Sequence, residues 1–276
     1  MSIDAPVSVD HGGLVIDALG AGSGYPTAVR DTSSLLVGSA EGWSVVDCPG
    51  SLVHKLATRA LPLEALRRLI LTHDHVDHVY GFPHLIQALA IEGRADEVDV
   101  LAPAQALDTI DGMLRVHGLT GDRYPKVRHV EIRLGEAIEV LRTEGLTITA
   151  SATEHTRDTV ALRFETATAS VCYSSDTRPC AAVTRLAAGV DILLHDCAGP
   201  HRLRDAFSAS HSSALEAARV AAAAGARKLV LMHLGARDED ILKECQAEAE
   251  AALGRPVDLA LDGMRWVVSN HAGDEG

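Results

Sequence analysis

The stretch Thr72-His73-Asp74-His75-Val76-Asp77-His78 places three histidines and two aspartates within seven residues. It directly follows the apolar run Leu69-Ile70-Leu71, which reads as a buried strand. Imidazole nitrogens and carboxylate oxygens are the donors that borderline and hard divalent metals take. A loop leaving a strand can turn His73 and His75 toward one point and Asp77 and His78 toward a neighbouring one, which suits two cations sharing a cleft. A plain polar turn would call for Gly, Asn or Pro and has no use for three imidazoles. A helix is expected to begin near Val79.

The pattern His73-x-His75-x-Asp77-His78 resembles the signature of the metallo-β-lactamase superfamily. That resemblance implies an α/β fold, a four-layer αβ/βα sandwich with the metal site along one edge. It also implies that His73 and His75 serve a first ion and that Asp77 and His78 serve a second. Later residues fall in the family's order. His155 would complete the first site, Asp176 would bridge the two ions, and His233 would close the second. The resemblance covers nearly the whole chain, so residues 1–276 are expected to form a single domain, with a frayed tail from residue 271. Residues 22–36, from Gly22-Ser23-Gly24 to Ser33-Ser34-Leu35-Leu36, are similar to the opening of ribonuclease Z and its phosphodiesterase relatives.

With 276 residues, length alone does not separate one domain from two. No apolar run approaches membrane-spanning length, and the N-terminus lacks a basic region followed by an apolar core, so a cytoplasmic protein without membrane contact is expected. The five cysteines are an odd number with no close pair, which suggests reduced thiols. A formal charge of −13 repels nucleic acid, although bound divalent cations soften that locally. Long RNA is therefore not the expected ligand.

Strands are expected over 14–19 and 34–37, flanking a glycine-rich loop over 20–26 that is either a plain connection or a rim of the active site. Residues 43–47 read as a strand ending in Asp47, either a surface turn residue or an acid supporting the metal loop by accepting hydrogen bonds from ligating histidines. Ser51 is expected to cap a helix carrying Leu52, Leu56 and Ala60 on one face, closed by Pro62. Helices over 82–90 and 104–116 alternate with strands over 98–101 and 127–132, so helices should cover a sheet face. Strands over 138–141, 146–152, 159–165 and 170–174 follow, leaving the segment 153–158 with His155 at a sheet edge. Only twenty residues separate His155 from Asp176, which leaves no room for the long arm with which many ribonuclease Z enzymes clasp tRNA.

A strand over 191–194 leads to His195, read as structural. Ser213 and Glu216 form a capping box opening an alanine-rich helix that ends at Gly225. His211 therefore stands just before a helix N-terminus, where anions are favoured, and it either caps a second layer or acts on substrate. A strand over 227–232 delivers His233, and residues 237–250 read as an exposed helix. Residues 256–261 and 264–268 look like a closing pair of strands about the turn Asp262-Gly263. His54, His84, His117, His129 and His201 read as ordinary polar contacts.

The resulting expectation is a binuclear metal-dependent hydrolase, a phosphodiesterase working through a metal-activated hydroxide. Asp77 is its orienter or general base and His211 its proton donor. Zinc is favoured because histidines outnumber carboxylates, with manganese or iron as alternatives. The expected substrate is a small-molecule or short nucleotide phosphodiester, and the family resemblance implies a homodimer. Hydrolysis of a lactone, thioester or other carboxylic ester, or of a β-lactam, is the competing chemistry, and the lack of a cysteine beside Asp176 stands against a lactamase. A non-enzymatic metal-binding module is the third reading.

Overall fold

The computed structural model describes residues 12–94 and 96–269, so the tail expected to fray from residue 271 lies outside the described residues. Strands β1 (Leu14–Gly20), β2 (Ser34–Ser39) and β3 (Gly42–Val46) pair antiparallel in sequence. Strands β4 (Leu66–Ile70), β5 (Val98–Ala102) and β6 (Val127–Glu131) then extend the sheet in parallel from β3. Helices α1 (Leu52–Thr58), α2 (Val76–Val79), α3 (Phe82–Ile91) and α4 (Ala104–Val116) lie between these strands in the chain.

The second half repeats the plan. Strands β7 (Ile138–Arg142), β8 (Thr147–Ala152), β9 (Val160–Glu165) and β10 (Ser170–Tyr173) pair antiparallel. Strands β11 (Ile192–Asp196), β12 (Lys228–Met232) and β13 (Asp258–Leu259) add in parallel, interleaved with α5 (Ala181–Leu186), α6 (Ala214–Ala224) and α7 (Glu239–Leu253). The last strand, β14 (Arg265–Val268), returns to the first sheet and pairs antiparallel with β1. Each seven-stranded sheet thus has an antiparallel side and a parallel side.

Three apolar layers separate the four structural layers. Between the sheets, Ile16, Val37 and Ile70 meet Ile148, Phe164, Leu194 and Met232. The outer face of the first sheet is closed by Leu52, Phe82, Ile86 and Ile110 from its helices, and that of the second by Val183, Ala217, Ala221, Leu242 and Cys245. Strands covered on both faces carry apolar residues on both, which is why β2 and β12 read as continuous runs rather than alternating ones. This is the expected αβ/βα sandwich. All five cysteines are free and buried, as expected for reduced thiols. Among the described residues no helix is long and apolar enough to cross a membrane.

Four local expectations are corrected. The final strands do not pair with each other: β13 lies beside β12 and β14 beside β1, in different sheets. The intervening Asp262 is no hairpin residue, because its carboxylate accepts from the backbone amides of Ala21 (3.0 Å) and Asp31 (2.9 Å) and from Lys55 Nζ (2.6 Å). Helix α1 ends at Thr58, so Ala60 is outside it at φ 50°, and Ser51 turns its hydroxyl to Asp31 instead of capping. Helix α2 starts at Val76, three residues earlier than expected, and so carries Asp77 and His78 in its first turn. The segment with His155 joins β8 to β9 at the end of the sheet, not at a lateral edge. The charged helix α7 buries a stripe of Leu242, Cys245 and Ala249 and exposes its opposite face.

Candidate metal centre

Every sequence-predicted ligand lies on a connection leaving the C-terminal end of a strand, at one end of the sandwich. His73, His75, Asp77 and His78 follow β4, His155 follows β8, Asp176 follows β10 and His233 follows β12. Three residues at these strand ends hold positive φ without being glycine: Asp47 (60°), Ser175 (52°) and His233 (53°). Such backbone costs on the order of 1–3 kcal/mol per residue and persists where the surroundings over-determine it. Here it swings the side chains of these connections inward over the sheet ends.

The loop bearing the first four residues is held from below by Asp47, which is fully buried. Its carboxylate accepts from the Thr72 amide (2.8 Å), from the Thr72 hydroxyl (3.0 Å) and from His78 Nδ1 (2.8 Å). Of the two readings of Asp47, the supporting acid is therefore the one the structure bears out. Behind it, Cys48 N donates to the His78 carbonyl (2.7 Å) and Gly81 N to the Cys48 carbonyl (2.9 Å). A Cβ on Gly81 would meet the Pro49 carbonyl oxygen at 2.0 Å, so only glycine lets the two segments approach this closely. The glycine-rich loop over 20–26 is indeed a rim: a Cβ on Gly24 would lie 3.2 Å from Asp77 Oδ2.

Two donor groups converge. In the first, His75 Nδ1 lies 3.0 Å from His73 Nε2 and 3.1 Å from His155 Nε2, and both Nε2 atoms are 3.8 Å from Asp176 Oδ2. The outer nitrogens fix the tautomers. His155 Nδ1 donates to the Ser210 carbonyl (2.9 Å), and His73 Nδ1 faces a Thr72 hydroxyl already donating to Asp47 (3.1 Å). Both Nε2 lone pairs therefore face the cluster interior. In the second group, Asp77 Oδ2 lies 3.3 Å from His78 Nε2 and 3.9 Å from His233 Nε2. Asp176 reaches this group too, with Oδ1 3.7 Å from His78 Nε2 and Oδ2 3.3 Å from His233 Nε2.

The donor set fits divalent metal. His78 Nε2, Asp176 Oδ1 and His233 Nε2 are buried without a hydrogen-bond partner among the described residues. An unsatisfied buried polar group costs on the order of 1–3 kcal/mol, and three aimed into one space are relieved together by a cation. His73, His75, His155 and Asp176 share one cluster of candidate ligand atoms within 4.8 Å, and Asp77, His78 and His233 share another.

One functional residue escaped the sequence reading. Asp196, the last residue of β11 and fully buried, places Oδ2 3.1 Å from His211 Nδ1 and Oδ1 3.3 Å from His233 Nδ1. It also accepts from the amides of Thr177 (3.2 Å) and Ser212 (3.3 Å). The signal was present, an acid closing an apolar strand as Asp47 does. The His211 and His233 rings stack at 5.0 Å and 14°, and His211, His233 and Asp176 also offer atoms within 4.8 Å of one another. His195 is buried and faces the Asp196 carbonyl (2.9 Å), and His201 faces Ser213 Oγ (2.9 Å), both away from these groups.

Charges divide the two groups. Burial first, and the neighbouring His78 imidazole next, hold His73 well below the usual histidine range, and burial also lowers His75 and His155. For His233, burial opposes protonation, but the Asp176, Asp196 and Asp77 carboxylates override it and raise the value to about 10. His78 is likewise raised, against burial, by Asp47 and Asp176. Burial alone would raise Asp176, yet the His233 and His78 charges hold it well below the usual carboxylate range.

At neutral pH the imidazoles of the metal-free first group are thus neutral, whereas His78 and His233 carry protons that a cation bound there would have to displace. Calorimetric titration of the metal-free protein at pH 7, repeated in buffers of different ionisation enthalpy, should show about two protons released on filling the second group and few on filling the first. Because these pKa values are raised, lowering the pH should weaken the second event roughly tenfold per unit per proton displaced, while the first changes less. Equal proton release at both steps would contradict this division.

The family description "Beta-lactamase superfamily domain" matches residues 42–234. The ribonuclease Z of Synechococcus sp. (strain CC9311) is 30% identical over 81% of this chain and 88% of its own length. The ribonuclease Z of Mycobacterium sp. (strain KMS) is also 30% identical, over 80% and 84%. Among solved structures, the metallo-β-lactamase fold protein YhfI from Bacillus subtilis superposes with a TM-score of 0.79 at 24% identity, covering 93% of this chain and 99% of that one. The short form of human tRNase Z superposes with a TM-score of 0.73 at 19% identity, covering 91% and 98%. With its histidine–aspartate loop and shared carboxylate at one end of two packed sheets, the chain belongs to the metallo-β-lactamase superfamily of metal-dependent hydrolases.

Proposed function

We propose that this protein is a phosphodiesterase with a binuclear metal centre, acting on small or short nucleotide phosphodiesters. The observation that carries the reading is the placement of Asp176 between two donor groups, with His211 standing beside them on its own carboxylate. His73, His75, His155 and Asp176 would hold one ion, and Asp77, His78, His233 and Asp176 the other. A divalent pair, zinc before manganese or iron, supplies Lewis acidity toward phosphoryl oxygens and lowers the pKa of water.

The chain's own groups do the rest. Burial works against ionisation of Asp77, but the neighbouring His233 and His78 imidazoles outweigh it and hold the carboxyl well below the usual carboxylate range. It is therefore an ionised acceptor that can orient the attacking water and take its proton. Asp196 Oδ2 accepts the hydrogen bond from His211 Nδ1–H, which leaves Nε2 of the protonated ring to present a proton to the leaving oxygen. Burial works against protonation of His211, but Asp196 raises its pKa, so the proton-bearing form persists toward neutral pH.

The relatives named ribonuclease Z support phosphodiester chemistry. Two features favour small substrates over tRNA: the net charge of −13, and the paired strands β9 and β10, which occupy the space between His155 and Asp176 without an extended arm. The five buried thiols suit a cytoplasmic setting.

The first test is the replacement of His211. His211→Ala should retain both metals and lower turnover of alkoxide-leaving diesters by about 10²–10⁴-fold. It should also lose the fall in activity with rising pH that deprotonation of His211 causes in the parent. Bis-p-nitrophenyl phosphate, whose leaving group needs no proton, should suffer much less. Equal losses on both substrates would remove the proton-donor role, and turnover of lactones or thioesters without any phosphodiester would overturn the reading as a whole. A second assay uses a 3′-extended pre-tRNA at physiological salt, where cleavage should be weak beside that of small diesters. Efficient processing would reassign the substrate class.

A further inference from the structure

A cleft of about 640 Å³ is lined by segments that follow Asp196 and His233 in the chain, and by Phe207, four residues before His211. Its floor is made by residues 198–200, just past Asp196, and residues 235–238, just past His233. Gly235 N donates to the Cys197 carbonyl (3.3 Å), joining the two segments, and Ala198 N donates to the Ser212 carbonyl (2.9 Å), tying the first of them to the residue after His211. The outer wall is the 3₁₀ turn His201–Ala206 together with Phe207, whose carbonyl accepts from the His211 amide at 3.0 Å. The cleft is therefore built from the same backbone that positions the two histidines bound to Asp196.

Its lining is apolar, with Leu203, Phe207, Ala236 and Ile241 facing a space in which Leu203 stays 41% exposed. Charge appears only at the rim, as Arg237 and Asp238. The Arg237 guanidinium lies over the Tyr25 ring, 4.4 Å from its centroid, and Tyr25 is itself 64% exposed. Tyr25 adjoins Gly24, on which a Cβ would meet Asp77 at 3.2 Å, so the Tyr25–Arg237 pair links the rim of the metal centre to the cleft. Among the described residues no carboxylate lies within salt-bridge distance of Arg237, which leaves its charge available to an anionic diester. Apolar walls beside convergent polar groups are what a small-molecule site requires, and they disfavour a charged guest.

We propose that this cleft binds the leaving-group half of the substrate and selects an alcohol that carries a planar aromatic group, a nucleobase or an aryl ring. Phe207 and the Tyr25–Arg237 stack are its recognition elements. The inference rests on the phosphodiesterase reading and deepens it. A leaving group seated here would bring its ester oxygen toward His211, whose amide is tied to the Phe207 carbonyl, and stacking on aromatic faces tolerates different rings.

The test uses two diesters that share the phosphate and the retained ester group, differing only in the leaving alcohol: methanol in one, the 5′-hydroxyl of a nucleoside in the other. Both leave as alkoxides, so protonation demand is matched. The parent enzyme should favour the nucleoside ester in kcat/KM by about ten- to a hundredfold, the range of one base stacked on an aromatic side chain, with most of the difference in KM. Phe207→Ala and Arg237→Ala should each reduce that ratio several-fold, and Leu203→Asp should bring it near unity. Val116→Asp, 83% exposed at the end of α4 on the other sheet's helix layer, should keep it. Leu203 and Arg237 are surface side chains, so two of the three cleft variants test the site without disturbing the core. Equal kcat/KM for the two esters in the parent, or a ratio that survives all three cleft substitutions, overturns the proposal while leaving the phosphodiesterase reading intact. Turnover of neither ester, nor of bis-p-nitrophenyl phosphate, by the metal-loaded parent sinks both.

Discussion

Asp47 and Asp176, two carboxylates buried just past β3 and β10, set the constraint on which the rest of this structure depends. Asp47 ties Thr72 and His78 to the end of β3, and so fixes the path of the whole histidine loop. Asp176 lies within 3.8 Å of imidazoles from both donor groups. Buried carboxylates are tolerated only with compensating charge or hydrogen bonds. In the metal-free chain that compensation at the second group is the protonated pair His78 and His233, and a cation is the natural replacement for those protons. The fold therefore stores a cation-shaped deficit, visible in the orphaned His78 Nε2, Asp176 Oδ1 and His233 Nε2.

The architecture that permits this is a repeated plan. Each sheet changes from antiparallel to parallel pairing at one strand, β3 in the first and β10 in the second. The acids Asp47 and Asp176 stand just past those two strands, and a histidine-bearing connection or acid-ended strand follows in each half. Strand ends at such changes of direction leave a crevice that a neighbouring connection does not fill. Positive φ at Asp47, Ser175 and His233 concentrates backbone strain there, which the three apolar layers of the sandwich can support.

How much of this was legible in the sequence varied with the range of the contacts. The histidine loop could be read because its donors are crowded into seven residues. His155, Asp176 and His233 are each isolated in sequence and became readable only as a series in the family's order. Asp196 was passed over because it ends a strand whose preceding histidine drew attention, although Asp47 had shown the same signal of an acid closing an apolar run. The misread segments are those governed by distant partners. Asp262 looks like a turn residue locally, but its role is set by amides and a lysine more than two hundred residues away. Ser51 follows helix-capping rules in its spacing, yet Asp31 claims its hydroxyl. Local pattern carries the sandwich and its metal loop, and long-range hydrogen bonds decide the crossings between the sheets.

The central proposal is that Asp176 would be shared by two cations. The most direct measurement is a crystal structure of the metal-loaded protein with anomalous data collected above and below the absorption edge of the bound metal. The account predicts two peaks per chain, one among His73, His75 and His155 and the other among Asp77, His78 and His233, with Asp176 between them. A single peak, or a second one outside these residues, would contradict it.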